Sequence, residues 1–373
     1  VLIEDNKISR VSSSNMRGDK VIDATGKILT PGIIATDTDI GIVEIGALSV
    51  TRDDSSDLYQ IGFSIYDAFN PNSVLIPWNR SNGITSAMTL PQNTDSPIGG
   101  LGSFFVLDSN IEVSGIKDNV MIGRVGGSGS KSRSETFAVI EDLLEFASSL
   151  NLKDMESYKD IADLIDDSPI AESMDLHPRD IKALYNLVND DLPLIISANR
   201  ASDLLKLIDL KLKYDLNLII MGAQEAGLVA DKIAKNNIPL IINPINNIPE
   251  SFDELAANIE LAAYLEKQGI TLMFNAPRSH NFHLIRQGAG VAVANGMSYA
   301  GALRALTSSP VEVFNLGDRG EIVAGKVADL IIWDADPLEP SSMPEKVFIN
   351  GKDIDLTSRM TRLTDRYLSL IHI

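Results

Sequence analysis

Short apolar runs of strand length recur through the middle of the chain, separated by longer stretches in which apolar residues fall three and four apart. The runs are Ile84 to Leu90, Val120 to Gly123, Leu192 to Ser197, Leu216 to Met221, Ile238 to Asn243 and Ile270 to Phe274. Apolar on both faces, they suit buried parallel strands. Two of the intervening stretches read as helices: 201–214, with Ser202 as N-cap and Leu204, Leu205, Ile208 and Leu212 on one face, and 253–267, with Leu255, Ile259, Ala262, Ala263 and Leu265. Such alternation predicts a βα barrel or a doubly wound sheet. The two chain ends differ from the middle. Residues 1 to about 30 form short β-like runs broken by turn residues, and the pattern returns at 328–334 and 346–352, so the ends are expected to complete one small β domain. Residues 92–108, with Gly99-Gly100-Leu101-Gly102, and 124–178 read as insertions on this frame.

Composition narrows the function classes. The 373 residues are 44% apolar and 22% charged, ordinary for a globular chain, and allow one large barrel with an accessory domain. With 32 Lys and Arg against 51 Asp and Glu, the formal charge is -19, which argues against nucleic acid and anionic membrane as partners. Cysteine is absent, which removes disulfides, thiolate nucleophiles and Cys-ligated zinc. No apolar run approaches the roughly 20 residues of a spanning helix. The chain opens at Val1-Leu2-Ile3-Glu4-Asp5, already strand and turn, so an export signal would lie upstream and the compartment is left open.

Three segments together carry a resemblance. The first is Val21-Ile22-Asp23-Ala24-Thr25-Gly26-Lys27 leading into Thr30-Pro31-Gly32-Ile33-Ile34. The second pairs Ile195-Ile196-Ser197-Ala198-Asn199-Arg200-Ala201 with Ile219-Ile220-Met221-Gly222-Ala223. The third runs from Ser309-Pro310-Val311 through Gly320-Glu321-Ile322-Val323-Ala324-Gly325-Lys326-Val327-Ala328-Asp329-Leu330 to Asp336-Pro337-Leu338. In order and position they resemble the amidohydrolase superfamily, closest to its imidazolonepropionase-like branch of hydrolases acting on non-peptide carbon-nitrogen bonds. The resemblance implies an α/β fold: a (β/α)8 TIM-type barrel at 31–316 with an insertion around 92–178, beside a β-sandwich of 1–30 and 317–373 that lacks an upstream strand. Gly32 is expected to supply a backbone conformation closed to other residues where the chain enters the barrel.

Members of that superfamily hold one or two divalent metals with a His-x-His pair on the first strand, single histidines on two middle strands and an aspartate on the last. Here the matching positions carry Asp37 and Asp39, then Ser197, then Met221 or Gly222, and finally Pro277 or Arg278. Zinc prefers imidazole and thiolate, and two carboxylates alone do not make its catalytic site. Arg278 pointing inward would bring positive charge and could pair with Asp37 or Asp39. The expectation is a degenerate, metal-free site of weak, altered or absent hydrolytic activity. The alternatives are a hydrolase of cyclic or dipeptide-like amides with a metal held by Asp37 and Asp39, joined for a hard cation by Glu44, and a non-catalytic partner subunit or ligand-binding protein. A small molecule is the expected ligand, and homo-oligomers are common among related barrels.

Of the histidines, His280 follows the last barrel strand and is the candidate acid or base, with a helix-start hydrogen-bonding role as its competitor. His177 precedes Pro178 and reads as a surface residue, His283 faces the helix above, and His372 lies in the tail. Gln224 and Glu225 are placed to line the pocket or to favour a helix dipole, and Asn199 and Arg200 to bind an anion or cap a helix. Gly126 to Ser132 superficially suggests a phosphate loop, but the Gly-Lys spacing is missing and a flexible loop is the plainer reading.

Overall fold

In the computed structural model the described residues are 1–14, 16–92, 94–108, 110–127, 131–151, 157–278 and 280–371. His372 and residues 128–130 of the glycine-rich loop lie outside them. The chain begins with three strands, β1 (Leu2–Glu4), β2 (Lys7–Arg10) and β3 (Ile28–Pro31). Eight barrel strands follow: β4 (Ile33–Thr38), β5 (Ile84–Thr89), β6 (Ile98–Val106), β7 (Gly115–Arg124), β8 (Leu194–Ala198), β9 (Leu218–Gly222), β10 (Leu240–Ile242) and β11 (Leu272–Phe274). The last strands are β12 (Leu330–Trp333), β13 (Pro344–Ile349) and β14 (Lys352–Asp353).

The eight barrel strands form one sheet in sequence order. It closes through side chains: Thr36 Oγ1 on β4 donates to Phe274 O on β11 at 2.8 Å. Helix α1 (Leu75–Arg80) precedes β5, α2 (Arg133–Ser149), α3 (Tyr158–Asp166), α4 (Pro169–Ser173) and α5 (Pro178–Asn189) join β7 to β8, and α6 (Ala201–Tyr214), α7 (Ala230–Lys235) and α8 (Leu261–Lys267) precede β9, β10 and β11. After β11 come α9 (Ile285–Ala294), α10 (Tyr299–Leu306) and α11 (Ser308–Phe314), and α12 (Arg359–Ile371) ends the described chain. None of these helices is long and apolar enough to cross a membrane.

One strand departs from the sequence reading. Ile98–Val106, taken as part of an insertion, is a barrel strand running antiparallel to both β5 and β7. The glycines that suggested a loop serve close packing instead. Gly99 and Gly100 have φ of 151° and 90°, the β6–β7 register shifts beside them, and a Cβ on Gly99 would lie 2.7 Å from Ile61 Cα. A bulge of this kind needs residues without side chains. Of the other stretch read as an insertion, 124–178, the helices α2 to α4 lie between β7 and α5.

Three smaller readings also change. Helix α6 has Arg200, not Ser202, at its N-cap, with no side-chain cap bond. The helix expected over 253–267 spans only Leu261–Lys267, and Leu255 is exposed. Gly32 is not in the left-handed region; a Cβ there would meet Thr85 Oγ1 at 2.1 Å, so the glycine is required by the close approach of β5.

The terminal strands form two sheets, β1–β2 and the antiparallel β14–β13–β12–β3. Alternation along β12 divides its side chains. Leu330 and Ile332 pack with Ile8 and Phe348 between the two sheets, while Ile331 and Trp333 join the main core against the barrel. Trp333 Nε1 reaches Thr30 Oγ1 at 2.8 Å, satisfying its one polar atom inside that contact.

Candidate functional site

Parallel barrel strands deliver their C-terminal residues to one face, and there the apolar runs give way to polar side chains. Arg124 closes β7 and stands in register with Ser197 of β8, which stands in register with Met221 of β9. With Asp37, Gln92, Ile122 and Arg278 this row lines a cavity of about 390 Å³. A neighbouring cavity of about 190 Å³ is lined by Asn199, Gly222, Gln224, Asn243, Asn246, Asn275, Ala276 and Pro277, and shares Asp37 and Arg278 with the first.

Asp37 is 8% exposed, and both of its oxygens are engaged. Arg278 Nε donates to Oδ1 at 2.7 Å, and Asn275 Nδ2 donates to Oδ2 at 3.1 Å. Of the two partners considered for Arg278, Asp37 takes the guanidinium. Arg278 Nη1 also donates to Pro91 O at 3.0 Å, which fixes the plane of the group. Burial opposes the charge on Arg278, yet Asp37 in contact with it and Asp39 and Asp54 nearby hold its pKa above the usual value. The pair spans the place where the sheet closes, with Asp37 on β4 and Arg278 just beyond β11.

Asp39, two residues on, is half-buried and has no such partner. Burial pushes its carboxyl up to about 6, Asp54 and Asp37 push the same way, and Arg278 opposes them. Asp54 is itself held by Arg52, whose Nη2 donates to Oδ2 at 2.8 Å. An acid whose folded pKa lies above its unfolded value contributes stability below the unfolded value near 3.8 and loses it as pH rises through 6. Asp39→Asn is therefore expected to stabilise the protein at pH 8 by about 1–2 kcal/mol, after allowance for solvent screening, and to be neutral near pH 4. Urea unfolding of both proteins at the two pH values checks this; an equal difference at both would remove the ionisation argument. His283 acts in the opposite sense in both proteins, because burial, with Arg286 and His280, pushes it down to about 4. Its stabilising share is present above the unfolded pKa near 6.5 and is lost as pH falls through 4.

The structure separates the remaining candidates. Asp37, Ser197, Asn199, Met221, Gln224 and Arg278 meet at the two cavities. His280 is exposed and is not among the residues lining either cavity, and its peptide oxygen accepts from Asn79 Nδ2 at 3.0 Å. Glu44 is tied to the 70–74 turn through Val74 N at 3.2 Å and does not join Asp37 and Asp39 as a ligand. Arg200 is exposed at the start of α6. Glu225 accepts from Ala201 N at 2.9 Å at that helix start, and His177 is the N-cap of α5. Among the described residues no group of three or more His, Cys, Asp or Glu side chains could hold a metal ion. Gln92, Arg124, Asn243, Asn246 and Asn275 were not among the sequence candidates. Arg124 and Asn243 end apolar runs and Asn275 and Gln92 follow them closely, and that position at the C-terminal end of a barrel strand was their only signal.

Comparison with known proteins agrees with this architecture. Residues 203–354 match the amidohydrolase family. Over 90 residues the chain is 33% identical to the amidohydrolase tasK of Hapsidospora irregularis, a stretch spanning 23% of this chain and 9% of that relative. Among solved structures, an amidohydrolase from Thermotoga maritima MSB8 superposes with a TM-score of 0.80 at 23% identity, covering 95% of this chain and 94% of its own. A prolidase complexed with N-methylphosphonate-L-proline gives 0.56 at 15% identity, covering 95% and 93%. Molinate hydrolase gives 0.54 at 15% identity, covering 95% and 90%. These likenesses in structure show a shared fold.

Proposed function

We propose, on the premise that this chain carries an amidohydrolase family domain over residues 203–354, that it binds a small polar molecule at the barrel mouth without a divalent metal, and that its hydrolytic activity is weak, altered or absent. The observation that carries the reading is the Asp37–Arg278 pair. Arg278 Nε lies 2.7 Å from Asp37 Oδ1, so a fixed cation already stands against the carboxylate where a metal ion would have to approach, and Asn275 donates to the other oxygen. Ser197 and Met221, at the matching middle-strand positions, add a hydroxyl and a thioether, neither of which offers zinc the imidazole it prefers. The residues present do not fit a catalytic divalent site.

The positive charge of Arg278 supports the same reading. It neutralises Asp37 and leaves a mouth lined by neutral amides, a hydroxyl and Arg124. Elemental analysis of the purified protein is expected to give well under one equivalent of zinc, iron or manganese per chain. Turnover of small amides is expected to be unchanged by chelation. About one equivalent bound at the mouth, lost on Asp37→Ala together with a chelator-sensitive activity, would establish the metal-dependent hydrolase instead.

A further inference from the structure

The smaller cavity is lined by five carboxamide side chains, and two of them are held so that their oxygens lack a partner. At the end of β9 the chain turns through two successive residues of positive φ, Gly222 at 90° and Ala223 at 49°. A Cβ on Gly222 would lie 2.3 Å from Asn199 Oδ1, and Ala223 holds a left-handed conformation unfavourable for a residue with a side chain. The turn tucks Gln224 inward until it is 3% exposed.

The orientation of its amide follows from chemistry. Gln224 Nε2 donates to Gly222 O at 3.3 Å, a contact only the amide nitrogen can make, so Oε1 is the free end, and it has no hydrogen-bond partner in the protein. Asn275 repeats the arrangement. Its Nδ2 donates to Asp37 Oδ2 at 3.1 Å, and its buried Oδ1 is likewise unpartnered. A buried amide oxygen left unpaired is costly, and here two belong to residues that line one cavity of about 190 Å³.

We infer that this cavity is a subsite for a neutral N–H2 group, the terminal carboxamide or ureido end of a small ligand held intact. Carbonyl oxygens accept and do not donate, so these two give an anion no partner. The Asp37–Arg278 pair that lines the same cavity is neutral overall, so it offers a buried ammonium or amidinium no countercharge. A neutral nitrogen carrying two hydrogens meets both demands, since it donates without bringing charge. The adjoining larger cavity carries Arg124 in its wall beside the neutral Asp37–Arg278 pair, and this net positive charge suits a carboxylate at the ligand's other end. The assignment rests on the reading of the mouth as a metal-independent ligand site, and it deepens that reading by naming the ligand class.

The probes are succinamic acid, N,N-dimethylsuccinamic acid and 4-hydroxybutyrate, titrated into the purified protein by calorimetry and by saturation-transfer NMR. Succinamic acid is expected to bind at least about tenfold more tightly than the other two, the loss expected for about one hydrogen bond left unmade. Gln224→Met is expected to reduce its affinity to that of the dimethyl compound. The comparison of ligands on the unaltered protein stands even where the variant does not fold. Equal binding of all three, preference for the hydroxy acid, or no binding of succinamic acid at millimolar concentration would overturn the assignment. Metal content is measured separately, so a metal-free protein without amide preference refutes this inference alone, and a metal-loaded one refutes the reading beneath it.

Discussion

Replacing Arg278 by leucine is expected to destabilise the protein by about 3–5 kcal/mol, because it leaves the buried Asp37 carboxylate without its countercharge. The side chains of the pair are 27% and 9% exposed, so the pair is screened far less than one on the surface. Asn275 retains its bond to Oδ2 but carries no charge to balance the carboxylate. Much of the loss should be recovered by adding Asp37→Asn, since a neutral amide in a cavity wall costs far less than an unpaired anion. Urea unfolding of the two single variants and the double variant gives the coupling directly. A loss below about 1 kcal/mol in Arg278→Leu would mean that the pair behaves as an exposed one, and the electrostatic account of the mouth would fall with it.

Gly32→Ala is expected to cost about 2–3 kcal/mol, although the residue is in an ordinary region of backbone conformation. The added carbon would lie 2.1 Å from Thr85 Oγ1, 2.6 Å from Cγ2 and 2.8 Å from Cβ. Thr85 is 1% exposed on β5, and a β-branched side chain in a strand has few rotamers to retreat into. The strain then falls on the pairing of β4 with β5, at the step where Ile33 meets Ile84. Thr85→Gly in the same chain removes the obstructing atoms and should recover part of the loss, net of its own cost. Chemical unfolding of the single and double variants decides the matter; an unchanged midpoint for Gly32→Ala would show that Thr85 moves aside freely.

The parallel strands could be read in the sequence because burial on both faces leaves a continuous apolar run, as in Leu194–Ala198 and Leu218–Gly222. β6 could not. Glycine is common both in mobile loops and in bulged strands packed against neighbouring backbone, and only the Ile61 segment beside Gly99 tells the two apart. The helix expected over 253–267 failed for a related reason, since the spacing of Leu255 and Ile259 is helical but Leu255 is turned to solvent. At the site, Asp37 and Arg278 were legible through the motif positions they occupy. Gln92, Arg124 and Asn275 were not, because one polar residue close to the end of an apolar strand carries no periodic signal. The orientation of the Gln224 amide depends on the turn at Gly222–Ala223, a three-dimensional circumstance with no trace in residue order.

The side-chain closure of the barrel couples its folding equilibrium to its chemistry. Among the described residues, β4 is joined to β11 and the segment just beyond it by Thr36 to Phe274 O and the two bonds to Asp37, with no backbone ladder between the two strands. Local opening draws on the least protected part of a structure, and a parting of these two strands breaks a few side-chain contacts while the other strand pairs stay intact. Such an event separates Asp37 from Asn275 and Arg278 at once, so the open form has no intact cavity to offer. A molecule that binds the closed form alone shifts this equilibrium by mass action, and the lifetime of the closed barrel then sets how long the site exists between openings.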